Sequence, residues 1–137
     1  RKVFKEYVAI AVGELGRDSD YIEGAMKMHP HDRLRMIVSS DTDAKPALSY
    51  YEVLERFRGF TLVKVQPRTG RTHQIRVHLS SIGHPLVADE TYGGAAGAGL
   101  ARQALHACRL AFLHPVTTQS LVFQAELPTD LQAALVA

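Results

Sequence analysis

Residues 3–12 alternate in polarity. Phe4, Val8, Ile10 and Val12 fall on one side, and Val3, Lys5, Tyr7, Ala9 and Ala11 on the other, with Glu6 interrupting the apolar side. This predicts a strand whose richer apolar face carries Phe4 and Ile10 and leaves Tyr7 beside Lys5 and two small alanines. Residues 47–57 and 60–66 read as two further strands, joined through Arg58-Gly59 as a hairpin and closed by Pro67. Ile75, Leu79 and Ile82 then recur at helical spacing. They predict a helix over 73–82, with Thr72 as N-cap, Gly83 as the C′ glycine and Pro85 beyond it.

The remaining patterns are shorter. Residues 13–27 read as a loop with a short strand, 28–33 as a connection, 35–38 as a strand and 39–45 as a polar turn. Residues 88–94 form a loop that continues into the small-residue stretch 95–99. Strands are expected at 105–113 and 121–125, joined over 114–118, and a short helix starts near Pro128-Thr129-Asp130-Leu131. Consecutive strands with few helices predict an α+β fold with a mostly antiparallel sheet flanked by a few helices. No repeat and no linker divides residues 1–137.

Composition narrows the class. The chain has 137 residues, 46% hydrophobic and 22% charged, enough for one globular core. Its single cysteine, Cys108, excludes an internal disulfide framework and points to a reducing compartment, the cytoplasm. No stretch has transmembrane length, so no membrane partner is expected, and a monomer is favoured. The opening Arg1-Lys2-Val3-Phe4-Lys5 runs straight into a strand, so further residues are expected before Arg1.

Net charge is a mild +2, but its distribution is uneven. Between Arg56 and Ala88 there is no Asp or Glu, whereas Arg56, Arg58, Lys64, Arg68, Arg71 and Arg76 are all cationic. Gathered around a turn and a helix start, these groups favour a phosphate or carboxylate. A solvated basic face is the plainer alternative. Metal chemistry fits poorly. His73 and His78 are five apart, about 140° around a helix, and no carboxylate or cysteine cluster accompanies any histidine pair. Cys108 reads as a small core residue, and there is no phosphate-binding glycine fingerprint. On spacing alone, Tyr7 reads as a half-buried sheet tyrosine, and the chain as an anion-binding domain for RNA or a nucleotide.

Longer motifs add more. Arg68-Thr69-Gly70-Arg71-Thr72-His73-Gln74-Ile75-Arg76-Val77-His78-Leu79, then Gly83-His84-Pro85-Leu86 and Asp89-Glu90-Thr91-Tyr92-Gly93-Gly94, resembles the signature of the RluA-type pseudouridine synthases. Lys5-Glu6-Tyr7-Val8-Ala9 resembles that family's K-x-Y-x-A strand. His29-Pro30-His31-Asp32-Arg33-Leu34-Arg35-Met36 resembles its middle segment, and Lys45-Pro46-Ala47-Leu48-Ser49-Tyr50 its GKpA-x-T-x-Y stretch. Leu105-His106-Ala107, His114-Pro115 and Pro128-Thr129-Asp130-Leu131 resemble its end. Ala44 and Ala88 stand where the family usually has glycine, which predicts slightly altered turns.

The resemblance implies isomerisation of uridine to pseudouridine in ribosomal or transfer RNA, with neither metal nor organic cofactor. It implies a flipped-out uridine in a structured RNA. Tyr7 corresponds to the active-site tyrosine that stacks on the base and assists proton removal from carbon five. Arg76 corresponds to the arginine that pairs with a nucleophilic aspartate. Arg71 is the candidate phosphate clamp, with Lys64, Arg68, Thr72, His73 and Gln74 as further RNA-binding candidates; His73 and Gln74 are also candidates for orienting the turn. Asp89 reads as structural. The family's H-R-L-D-x-x-T-S-G motif, which carries the nucleophile, has no counterpart in the chain. The nucleophile is therefore expected upstream of Arg1, with residues 1–137 forming part of a single catalytic domain and inactive alone. A non-catalytic RNA-binding domain is the alternative.

Overall fold

The computed structural model describes residues 3–94, 105–113 and 120–124. The small-residue stretch 95–99, the connection 114–118 and the terminal helix expected near 128–131 lie outside them. Strand β1 (Val3–Val12) is followed by β2 (Ser19–Glu23), β3 (Met26–His29), β4 (Asp32–Val38), β5 (Leu48–Phe57) and β6 (Phe60–Pro67). Helix α1 (Gln74–Ser81), a short 3-10 turn (Glu90–Tyr92), β7 (Leu105–Leu113) and β8 (Ser120–Gln124) complete the order. Six strands form one antiparallel sheet in the order β2-β5-β6-β1-β7-β8, and β3-β4 is a separate hairpin. The α+β architecture is as expected. The polar segment 13–38 holds the short strand expected in 13–27 as β2, and adds β3 and a longer β4 where a connection and a brief strand were expected.

The β5–β6 hairpin turns where Arg58-Gly59 stands, and Gly59 takes φ +80°, open to glycine without strain. Along β6 the burial alternates, with Thr61, Val63 and Val65 inside. Register places them opposite Ala11, Ala9 and Tyr7 of β1, so all six share a face. Helix α1 covers this face, and Ile75 and Leu79 pack against Ala9, Ala11, Tyr51, Val63 and Val65. The main core therefore lies on the alanine side of β1, opposite to the side that its larger apolar residues favoured. Small side chains in β1 let the helix approach the sheet, and Ala9 and Ala11 are wholly buried.

The C-terminus of α1 is closed as its glycine predicts. Gly83 has φ +85°, its N–H donates to Ser80 O at 3.0 Å, and His84 N–H donates to Leu79 O at 2.9 Å. The chain then runs back along β1, where Val12 N–H donates to Pro85 O and Val87 N–H to Ile10 O. Ala88 follows at φ 63°, a left-handed conformation that its Cβ opposes. This explains why glycine suits the position, whereas Ala44 has no left-handed φ and needs none. Ala88→Gly is expected to raise stability by about 0.5–1 kcal/mol in urea unfolding; a loss would contradict the strain.

Candidate active site

The basic run forms a compact loop between β6 and α1, built around the side chain of Gln74. Its Oε1 accepts from Arg71 N–H (3.0 Å) and Thr69 Oγ1 (2.7 Å). Its Nε2 donates to Leu48 O and Ser49 Oγ, each at 2.9 Å. Gln74 is buried, with its amide fully engaged inside the protein. It thus shapes the loop, and it also lines the cavity formed there. The N-cap also differs from expectation. His73, not Thr72, occupies it at φ 56° and ψ 23°, without a side-chain cap. Gln74 instead ties the loop before the helix, and Thr72 stays exposed.

Arg76 leaves the first turn of α1 and meets Asp89. Its Nε and Nη2 each donate to one carboxylate oxygen at 2.9 Å, in a side-on, two-pronged pair. The Asp89 side chain is 1% exposed and that of Arg76 15%. The bonds to Asp89 raise the Arg76 pKa further above its ordinary value. The guanidinium also lies 5.0 Å over the ring of Tyr92. Tyr92 is anchored in turn, because its hydroxyl accepts from Met36 N–H (3.0 Å) and hydrogen-bonds His73 Nδ1 (2.7 Å). Burial, and then the neighbouring Arg76 charge, lower the His73 pKa. Asp89 is structural as expected, but its role is specific: it fixes the plane of Arg76. Among the described residues nothing takes the Nη1 edge, which remains available to a second anion.

Tyr7, Arg71, His73 and Arg76 line one cavity of about 280 Å³, joined by Lys5, Thr69 and Ile75. A β-bulge in the β1–β7 pairing falls between Glu6 and Tyr7, where such irregularities re-aim a side chain. Arg71 is held at the rim by Nε donating to Pro46 O at 2.9 Å. Two expected RNA contacts lie elsewhere. Lys64 alternates with the buried Val63 and Val65, so it points to the opposite face and pairs with Glu52 at 3.6 Å. Arg68 is exposed, with its guanidinium 5.7 Å over the Tyr50 ring on that opposite face. The structure thus gathers the lone tyrosine, the helix arginine and the rim arginine, and leaves Lys64 and Arg68 outside. Lys5 and Asp89 join the site without having been singled out for it. The K-x-Y spacing marks Lys5, whereas nothing local marks Asp89 as the partner of Arg76.

Behind the site, the wholly buried His78 is bracketed by Ser49 Oγ at Nδ1 (2.8 Å) and Gly24 O at Nε2 (3.0 Å). A carbonyl can only accept, so Nε2 carries the proton. Burial lowers the His78 pKa, against the opposing effect of the Gly24 carbonyl. The folded state therefore resists a proton that the unfolded chain accepts in the ordinary histidine range. Stability should be full above that range and fall as pH drops through it. Urea midpoints between pH 7.5 and 5 should fall in the native protein and fall less in His78→Gln; equal slopes would contradict this.

Fold and cavity together define an α+β domain that presents an aromatic side chain and fixed cations to an anionic ligand. Comparison with known proteins makes the class specific. The family model described as RNA pseudouridylate synthase matches residues 1–81, and the chain belongs to that family. Ribosomal large subunit pseudouridine synthase D of Pasteurella multocida is 40% identical over 143 residues, covering 95% of this chain and 43% of that protein. The protein of the same name from Nitrosomonas europaea is 43% identical, covering 98% and 41%. An uncharacterized RNA pseudouridine synthase of Bacillus subtilis, YlyB, is 42% identical, covering 96% and 43%. The chain spans less than half the length of these relatives. Among solved structures, human RNA pseudouridylate synthase domain containing 1 superposes with a TM-score of 0.82 at 31% identity, covering 96% of this chain and 58% of that one.

Proposed function

We propose that the protein carrying this chain isomerises uridine to pseudouridine in RNA, and that these residues supply the tyrosine and arginine of its active site. The observation that carries the proposal is the cavity shared by Tyr7 and Arg76, with Arg76 clamped from behind by the buried Asp89. A flipped-out uracil fits this arrangement: Tyr7 offers a face for stacking and a hydroxyl, and Arg71 stands at the rim for a phosphate. The Nη1 edge of Arg76 suits the carboxylate of an aspartate outside this chain, keeping it ionised and oriented.

In this reading the aspartate attacks the nucleoside and the bond from ribose to uracil nitrogen breaks. Uracil turns and rejoins ribose through carbon five, which releases the aspartate; the carbon-five proton leaves with the help of Tyr7, and the freed ring nitrogen takes up a proton. The count of atoms is unchanged, so no cofactor is required. The relatives named for the ribosomal large subunit make its RNA the first substrate to test. The cytoplasm is the proposed place of work, and a monomer the proposed form. The intact protein, given RNA tritiated at carbon five of uridine, should release tritium in step with pseudouridine formation. Tight binding without release would overturn the proposal and favour a non-catalytic RNA-binding domain.

A further inference from the structure

A second groove adjoins the proposed uridine cavity and is assigned to nothing so far. It measures about 510 Å³ and shares Gly70 and Arg71 with the first cavity. Residues 1–137 contain three methionines, Met26, Met28 and Met36, and all three line this groove. The β3–β4 register explains why, since Met28 faces Met36 across the hairpin and Met26 follows two residues along the same face. Met28 is 47% exposed, an apolar side chain open to solvent beside two others. Lys45, Arg71 and Thr72 form the polar side. The groove's one acid, Asp43, shares Lys27 with Asp41, at 3.0 Å and 3.1 Å. Lys27, Lys45 and Arg71 still outnumber these two carboxylates, so the groove favours an anion.

We infer that this groove holds the nucleotide adjacent to the target uridine, with its base on Met28 and Met36, backed by the buried Met26, and the phosphate linking the two nucleotides on Arg71. The inference rests on the isomerase reading. RNA is a continuous strand, so a uridine in the first cavity places its neighbour in the next opening. The linking phosphate must then cross the ridge between them. Arg71 is that ridge, and its Nε bond to Pro46 O leaves its outer nitrogens for the crossing. Thioether sulfurs attract aromatic rings and adapt to their shape, so the surface accepts any base, with little sequence preference.

The test uses the intact protein and a short uridine-containing RNA, compared with the same RNA made abasic at either flanking position. One abasic substitution should weaken binding about fivefold. In Met28→Ala the abasic and normal RNAs should bind within about twofold of each other, because the base no longer has its surface. Lys45→Ala should lower the slope of log affinity against log salt by about one. Wild-type isomerisation with equal affinity for all three RNAs would overturn the groove assignment and leave the isomerase reading intact. Tritium release from none of the RNAs would overturn both.

Discussion

Arg76→Ala in the intact protein should reduce pseudouridine formation by about 10³-fold or more and also lower stability by about 3 kcal/mol. The two losses have separate causes. Turnover fails because the incoming carboxylate and the base lose their fixed cation. Stability falls because Asp89, 1% exposed, is left as a buried charge without a partner. The double variant Arg76→Ala with Asp89→Ala removes both charges, so it should recover most of the stability and none of the turnover. Activity tracking stability through the pair would instead make Arg76 a scaffold residue. Asp89→Asn keeps the shape but weakens the clamp, and should lower turnover while RNA affinity changes little.

Tyr7→Phe is the second large effect. The ring stays on the helix-covered face of β1, packed against the same core, so stability and RNA affinity should change by less than about twofold in equilibrium terms. The hydroxyl is lost, and turnover should fall about 10²-fold, the size of a general-base contribution. Single-turnover rates with saturating protein read this directly. Unchanged rates would restrict Tyr7 to stacking.

Patterns carried by neighbouring residues were legible in the sequence. The alternation of 3–12, the Arg58-Gly59 hairpin and the Gly83 ending of α1 each depend on a few consecutive positions, and each is present. The core side of β1 was not legible, because it depends on what packs there. Two alanines look poor in apolar surface until Ile75 and Leu79 arrive from a helix far along the chain. The N-cap was missed because Gln74 reaches backwards to organise Thr69 and Arg71, which no cap propensity describes. Lys64 could have been excluded from the pocket by parity alone, since it alternates with Val63 and Val65. The Arg76–Asp89 pair joins two motifs read separately, through a turn that brings residues 13 positions apart into a single clamp. Motif similarity thus pointed to the site, and long-range packing decided how its parts act on one another.

The most direct test of a uridine site on this face is near-ultraviolet crosslinking of the intact protein to an RNA carrying 4-thiouridine at its modified position, followed by peptide mapping. The predicted result is attachment to the peptide of Tyr7 or to the loop of residues 71–76, lost when unlabelled RNA competes. Attachment to Tyr21, Tyr50 or Lys64, on the opposite face of the sheet, would contradict the account.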